Sequence, residues 1–245
     1  VAYKLAEKFW PGPLTLIFEK KDIIPNKTTS NLNTVAFRIP HKEITLNLLS
    51  SLEYPLSAPS ANKFGYISPT TTDHVHKNFK DGIDYILDGG RCELGIESTI
   101  IGFENNKAIV YRLGSLITED IEKCIGEITI YSNKENFPGS FKSHYSPQKK
   151  LFLGDIDILA NKYQNKRIGI LCFDRYYDFV KEENQIILSK NSSLLEASKN
   201  LYSSLYKLDN MKNIDIILTT LVEDTLIGKT INNRLIKSAE NDEKY

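Results

Sequence analysis

Nowhere in the sequence does an apolar run approach the roughly 18 residues that a membrane-crossing helix requires, so no helical membrane span is expected. Charge of one sign is missing too. The chain sets 31 Lys and Arg against 31 Asp and Glu across 245 residues, so overall electrostatics drive neither indiscriminate nucleic-acid binding nor adhesion to anionic lipid. Local basic patches stay open. Cysteine is scarce: Cys92, Cys124 and Cys172 form no Cys-x-x-Cys pair, and any disulfide scheme leaves one over, which suits a reducing, cytoplasmic setting. They read as small apolar residues rather than ligands or nucleophiles. The sequence also lacks a Gly-x-Gly-x-x-Gly turn, so a dinucleotide fingerprint is excluded. His74 and His76 lie two apart on an expected helix and point to different faces; they are assigned to the surface, and no metal set is identified from the protein.

What is present alternates strand-like and helix-like segments. The chain opens at Val1 in what reads as mid-helix, with Leu5, Ala6 and Phe9 at helical spacing and no charged-then-apolar leader, so the natural amino terminus is expected upstream. Trp10-Pro-Gly-Pro13 stops that helix. Strands are predicted over Leu14 to Glu19, Val35 to Ile39 and Ile83 to Leu87, and a hairpin pairs Thr99 to Phe103 with Ala108 to Tyr111 across Glu104-Asn-Asn106. Helices are predicted over Ile44 to Leu52 and from Thr118 towards Cys124, with another opening near Ser68-Pro69 or one register later at Thr70 with Asp73. From Asn133 to about Lys149 the pattern lapses into a proline-containing linker. Beyond it lie a strand over Arg167 to Phe173, a helix over Ser192 to Leu208, a strand over Ile214 to Thr220 and a closing helix over Thr230 to Ala239. Two α/β domains follow from this order.

The most informative stretch is Pro55-Leu-Ser-Ala-Pro-Ser-Ala-Asn62, followed by Ser68-Pro-Thr-Thr71 and Glu97-Ser-Thr99. Small hydroxyl and amide residues stand where a core would ordinarily place bulk, which is how a polar pocket wall is built. Taken one at a time, each is equally a satisfied turn residue or a helix cap, and hydroxyls at a helix start serve either as caps or as an anion seat. Arg38 and Arg112 fall at or just beyond strand ends, where a guanidinium can grip a carboxylate or phosphate with two parallel hydrogen bonds. A single such arginine also reads as a surface ion pair.

Seven segments in order, Pro11-Gly-Pro-Leu-Thr15, Thr34-Val-Ala-Phe-Arg-Ile-Pro40, Ser57-Ala-Pro-Ser-Ala-Asn62, Ser68-Pro-Thr70, Leu87-Asp-Gly-Gly90, Glu97-Ser-Thr-Ile100 and Tyr111-Arg-Leu-Gly114, resemble the threonylcarbamoyl-AMP synthase family, built on the YrdC-like domain. His144-Tyr-Ser-Pro147 resembles the end of the interdomain linker in that family's longer form, and Asn233-Arg-Leu235 its accessory domain. The resemblance implies an α/β protein: a twisted mixed-sheet YrdC-like catalytic domain over 1–132, a linker or lid over 133–149, and a small Rossmann-like accessory domain over 150–245. It implies a nucleotidyltransferase that joins L-threonine, bicarbonate and ATP, with Mg2+ accompanying the ATP, into threonylcarbamoyl-adenylate and pyrophosphate. That product would feed the machinery that modifies tRNA with N6-threonylcarbamoyladenosine.

The same resemblance implies roles residue by residue. Arg38, Ala58 and Ser98 would contact L-threonine. Thr34, Ser60, Ser68 and Arg112 would contact ATP, with Asn62 beside them in the small-residue loop and His144 and Tyr145 in a lid over the nucleotide. No nucleophilic side chain is implied. The family ordinarily begins with a Pro-Thr-(Asp/Glu)-Thr-(Val/Ala)-Tyr-Gly-Leu run and a Lys-x-Arg cluster. Neither appears in this sequence, so the catalytic domain is expected to be incomplete at its amino end and these residues alone impaired. An RNA-binding YrdC-like module is the alternative, with possible contact to tRNA or double-stranded RNA, although neutral composition and few aromatics among Lys or Arg speak against it. A carbamoyl-phosphate-dependent maturation enzyme would carry Cys-x-x-Cys pairs, which are lacking here.

Overall fold

The computed structural model describes residues 1–131 and 145–240. In chain order its helices are α1 (Ala2–Phe9), α2 (Glu43–Ser50), α3 (Thr72–Phe79), α4 (Thr118–Ile125), α5 (Ile156–Lys162), α6 (Leu194–Asn210) and α7 (Gly228–Ser238). The strands are β1 (Leu14–Glu19), β2 (Thr34–Phe37), β3 (Thr99–Glu104), β4 (Lys107–Arg112), β5 (Thr129–Ile130), β6 (Lys150–Leu153), β7 (Ile168–Cys172), β8 (Gln185–Ile187) and β9 (Ile216–Thr219). They form two compact units. The first holds Val1–Pro59 with 97–131, the second Ser60–Ile96 with 145–240. Segment 60–96 thus groups with the carboxyl-terminal half, although in chain order it precedes the expected linker.

The first unit is a mixed sheet of order β2-β1-β3-β4-β5. Strand β1 pairs antiparallel with β2 and parallel with β3, and β3 and β4 form the expected hairpin. Asn105 and Asn106 both take positive φ, at 49° and 62°, the backbone demanded by a two-residue turn that matches strand twist. Alternation puts Leu14 and Leu16 of β1, Ile101 of β3, and Ala108 and Val110 of β4 into one core with Leu5 of α1 and Ile121 of α4. At the turn after α1, the Trp10 indole donates to Leu14 O at 2.7 Å. Helix α2 departs from expectation: none of its residues is buried, and Ile44 and Leu48 remain exposed.

The second unit carries an all-parallel sheet, order β6-β9-β7-β8. Parallel strands are buried on both faces, and the alternation obeys this. Phe152, Ile170 and Leu218 meet Ile156 and Leu159 of α5 on one side. Leu151, Leu171 and Ile217 are buried as well, as are Leu201 and Leu205 of α6 and Ile231 and Leu235 of α7. Cys172 lies in this core, and burial pushes its thiol up to about 12, which leaves it inert at neutral pH. Cys92, by contrast, is exposed, so the apolar reading fails for it.

Two expected elements differ. Ile83 to Leu87 forms no strand: the stretch is irregular, with Tyr85 and Leu87 exposed, and it has no ladder partner among the described residues. Helix α3 starts later than either predicted register, at Thr72, with the Thr71 hydroxyl accepting from His74 N at 3.3 Å. No helix among the described residues is long and apolar enough to cross a membrane.

Candidate functional site

In the first unit the structure brings two of the predicted residues, Ser98 and Arg112, onto neighbouring backbone, with Thr15 beside them. The Arg112 guanidinium, at the end of β4, donates through Nε and Nη2 to Ser98 O at 3.1 and 2.9 Å, and through Nη2 to Ser98 Oγ at 3.0 Å. Ser98 Oγ lies 2.7 Å from Thr15 Oγ1. Thr15, Ser98 and Arg112 therefore form one hydrogen-bonded chain, its two hydroxyls buried. Two rows of backbone bring it together: Ser115 N donates to Glu97 O, and the buried Thr99 hydroxyl donates to Leu116 O at 2.6 Å. Gly114 is what allows the approach. A Cβ there would fall 2.5 Å from Ser98 O and closer still to Ser98 C and Thr99 N, so only glycine fits between the Tyr111–Gly114 and Glu97–Thr99 segments.

Arg38, just past β2, is exposed, and its Nε donates to Gly12 O at 3.0 Å while Gly12 N donates to Ile39 O. The proline-rich turn after α1 thereby aims this guanidinium. Thr34 opens β2 opposite Glu19, and both it and Ala58 are exposed. Thr15, to which the sequence assigns no role, joins Ser98 and Arg112 from the face of β1 opposite to Leu14 and Leu16; its signal is a hydroxyl within a largely apolar strand.

The second unit holds the remaining residues. Ser60 is exposed. Asn62 donates from Nδ2 to Lys63 O and Tyr66 O, bracing its own turn, while Oδ1 is buried without a partner among the described residues. Ser68 is buried, between the buried Ile67 and Thr70. Tyr145 has φ 66° and is 1 % exposed; its ring stacks on Tyr202 at 5.6 Å, Arg234 Cζ lies 4.8 Å over it, and Ser238 Oγ donates to its carbonyl. The ring is thus enclosed between Tyr202 and Arg234. His144 lies outside the described residues.

His74 is not a surface residue as expected. Half-buried, it stacks on Tyr206 of α6 with centroids 3.8 Å apart and planes at 13°. Burial holds its pKa below the ordinary 6.5, with Lys77 and Arg91 adding to the effect and Asp73 opposing it. Thr70 N donates to His74 Nδ1 at 3.2 Å, which places the ring proton on Nε2. Among the described residues no group of three His, Cys, Asp or Glu could hold a metal.

With this geometry in view, comparison with known proteins identifies the family. One family model, described as telomere recombination, matches residues 1–114, and a second, described as threonylcarbamoyl-AMP synthase, C-terminal domain, matches 117–240. The chain is 34 % identical to a threonylcarbamoyl-AMP synthase of Pyrococcus abyssi, covering 97 % of this chain and 73 % of that protein. It is 32 % identical to one of Bacillus subtilis, covering 97 % and 72 %. The crystal structure of P. abyssi Sua5 complexed with L-threonine superposes with a TM-score of 0.87 at 34 % identity, over 97 % of this chain and 73 % of that one. Its segments, its two folds and these relatives agree, and the chain belongs to the threonylcarbamoyl-AMP synthase family.

Proposed function

We propose that this chain is a threonylcarbamoyl-AMP synthase, a nucleotidyltransferase that makes threonylcarbamoyl-adenylate and pyrophosphate from L-threonine, bicarbonate and ATP. The observation that carries the reading is the Thr15–Ser98–Arg112 chain backed by Gly114, in a protein whose relative binds L-threonine. Threonine's amine condenses with bicarbonate to a carbamate, releasing water. A carbamate oxygen then attacks the α-phosphorus, and the bond to the β-phosphate breaks with its electron pair leaving on pyrophosphate. No protein nucleophile is needed. The protein orients two anions and stabilises the charge that develops between them.

In this reading Arg38, Ala58 and Ser98 bind threonine, with Arg38 on its carboxylate. Thr34, Ser60, Asn62, Ser68 and Arg112 bind ATP, which brings its Mg2+. His144 and Tyr145 belong to the ATP set, as a lid over the nucleotide. Ser98 Oγ already accepts from Arg112, so its own proton is available to a ligand oxygen or to Thr15. The product then passes to tRNA threonylcarbamoylation in the cytoplasm; direct contact with tRNA or other double-stranded RNA is a secondary part of the reading.

Calorimetry on the full-length protein tests it. Arg38→Ala should weaken threonine binding and Arg112→Ala ATP binding, each by a few kcal/mol, roughly the worth of a desolvated charge-assisted contact. Unchanged affinities for both ligands would sink the assignment.

A further inference from the structure

Ser68, a proposed ATP ligand, sits in Ile67-Ser-Pro-Thr70, a segment with no regular structure of its own. Backbone of this kind needs outside partners to hold one conformation. Cys92 N donates to Thr70 O at 2.9 Å, and a further partner stands 139 positions from Ile67. Tyr206 OH donates to Ile67 O at 3.0 Å and accepts from Asn78 Nδ2 at 2.7 Å. On the far side of Ser68, Thr70 N donates to His74, whose ring lies flat on the Tyr206 ring. Tyr66, edge-on to Tyr206 at 5.3 Å, donates to Asp209 Oδ2 at 2.6 Å. Tyr206 thus fixes the residue before Ser68 directly and the second residue after it through His74.

We infer that Tyr206 is a positioning residue for nucleotide binding: α6 sets the place of the Ser68 hydroxyl through the Ile67 carbonyl and the His74 ring. The inference rests on the reading of Ser68 as an ATP ligand. It gives α6 a role in substrate affinity that its sequence, an ordinary amphipathic helix, does not announce. The phenol is well suited to this, since one group both donates and accepts while its ring stacks.

Tyr206→Phe keeps the ring and removes the two hydrogen bonds. In the full-length protein it should raise the KM for ATP about tenfold and leave the KM for threonine unchanged. Groups that act through one another are non-additive, so Tyr206→Phe placed on Ser68→Ala should add less than twofold. His74→Phe, which keeps the stack but gives Thr70 N no acceptor, should raise the ATP KM in the same selective way and guards against a Tyr206 variant that fails to fold. If Tyr206→Phe and His74→Phe leave the ATP KM unchanged while Ser68→Ala raises it, the inference is overturned and the Ser68 reading survives. If Ser68→Ala itself leaves ATP affinity unchanged, that reading falls and takes the inference with it. Equal loss of ATP and threonine affinity with a lowered Tm would reduce Tyr206 to a structural residue.

Discussion

Replacing Gly114 by alanine is the sharpest test of how the first unit is built. The new Cβ would stand 2.5 Å from Ser98 O, where ordinary contact begins at 3.4 Å, and the atoms it meets are backbone rather than the ends of flexible side chains. The two segments must therefore part by about 1 Å. Overpacking of this kind costs about 1–3 kcal/mol, and the shift also strains the Arg112 hydrogen bonds to Ser98, at 2.9–3.1 Å. Hydrogen bonds to a charged group contribute roughly 1.5–3 kcal/mol, so a total near 3 kcal/mol is a modest expectation. At about 2–4 °C per kcal/mol for a chain of this size, Tm should fall by roughly 6–12 °C in a calorimetric melt. Threonine and ATP affinities should fall together, because Ser98 and Arg112 move as one. A Gly114→Ala protein melting within a degree of the parent, with both affinities intact, would refute the argument.

Three further outcomes are expected. Arg112→Lys keeps the charge but loses the planar fork, and ATP affinity by calorimetry should drop about tenfold, or roughly 1.4 kcal/mol; an unchanged value would show that charge alone suffices. His74 is held below its ordinary 6.5, so its contribution to stability is complete above pH 6.5 and is lost as pH falls from there through the folded value, where the unfolded chain binds the proton first. Denaturant melts between pH 7 and 5 should show that loss, and His74→Phe should flatten it. Asn105→Ala forces a residue with a Cβ and no helpful side-chain oxygen to hold φ at 49°; left-handed backbone costs roughly 1–2 kcal/mol, which urea titration would register.

Much of this was legible in the sequence. The bounds of β1 follow from Leu14 to Glu19 alone, and the hairpin from two apolar runs flanking Asn105-Asn106. Arg112 and Ser98 could be picked out as site residues, but not their contact with each other, which depends on Gly114 letting two distant segments touch. Strands β5 and β8, of two and three residues, carry no readable period and exist because a neighbouring strand offers hydrogen bonds. Ile83 to Leu87 shows the converse: strand-like composition with no ladder to join among the described residues. The placing of His74 escaped because its stack on Tyr206, 132 positions away, is a tertiary contact.

The second unit is assembled from two stretches of chain that are far apart in sequence, and synthesis makes them at different times. When residues 60–96 leave the ribosome, Tyr206, Asp209 and the Arg91 acceptors Asn200 and Ser203 have not yet been translated. With Tyr206 139 positions after Ile67 and elongation at about 5–20 residues per second, the segment that carries Ser68 waits on the order of ten seconds for the helix that braces it. Nascent chains arrested before α6 should expose this loop to protease, and chains extended past Asn210 should protect it.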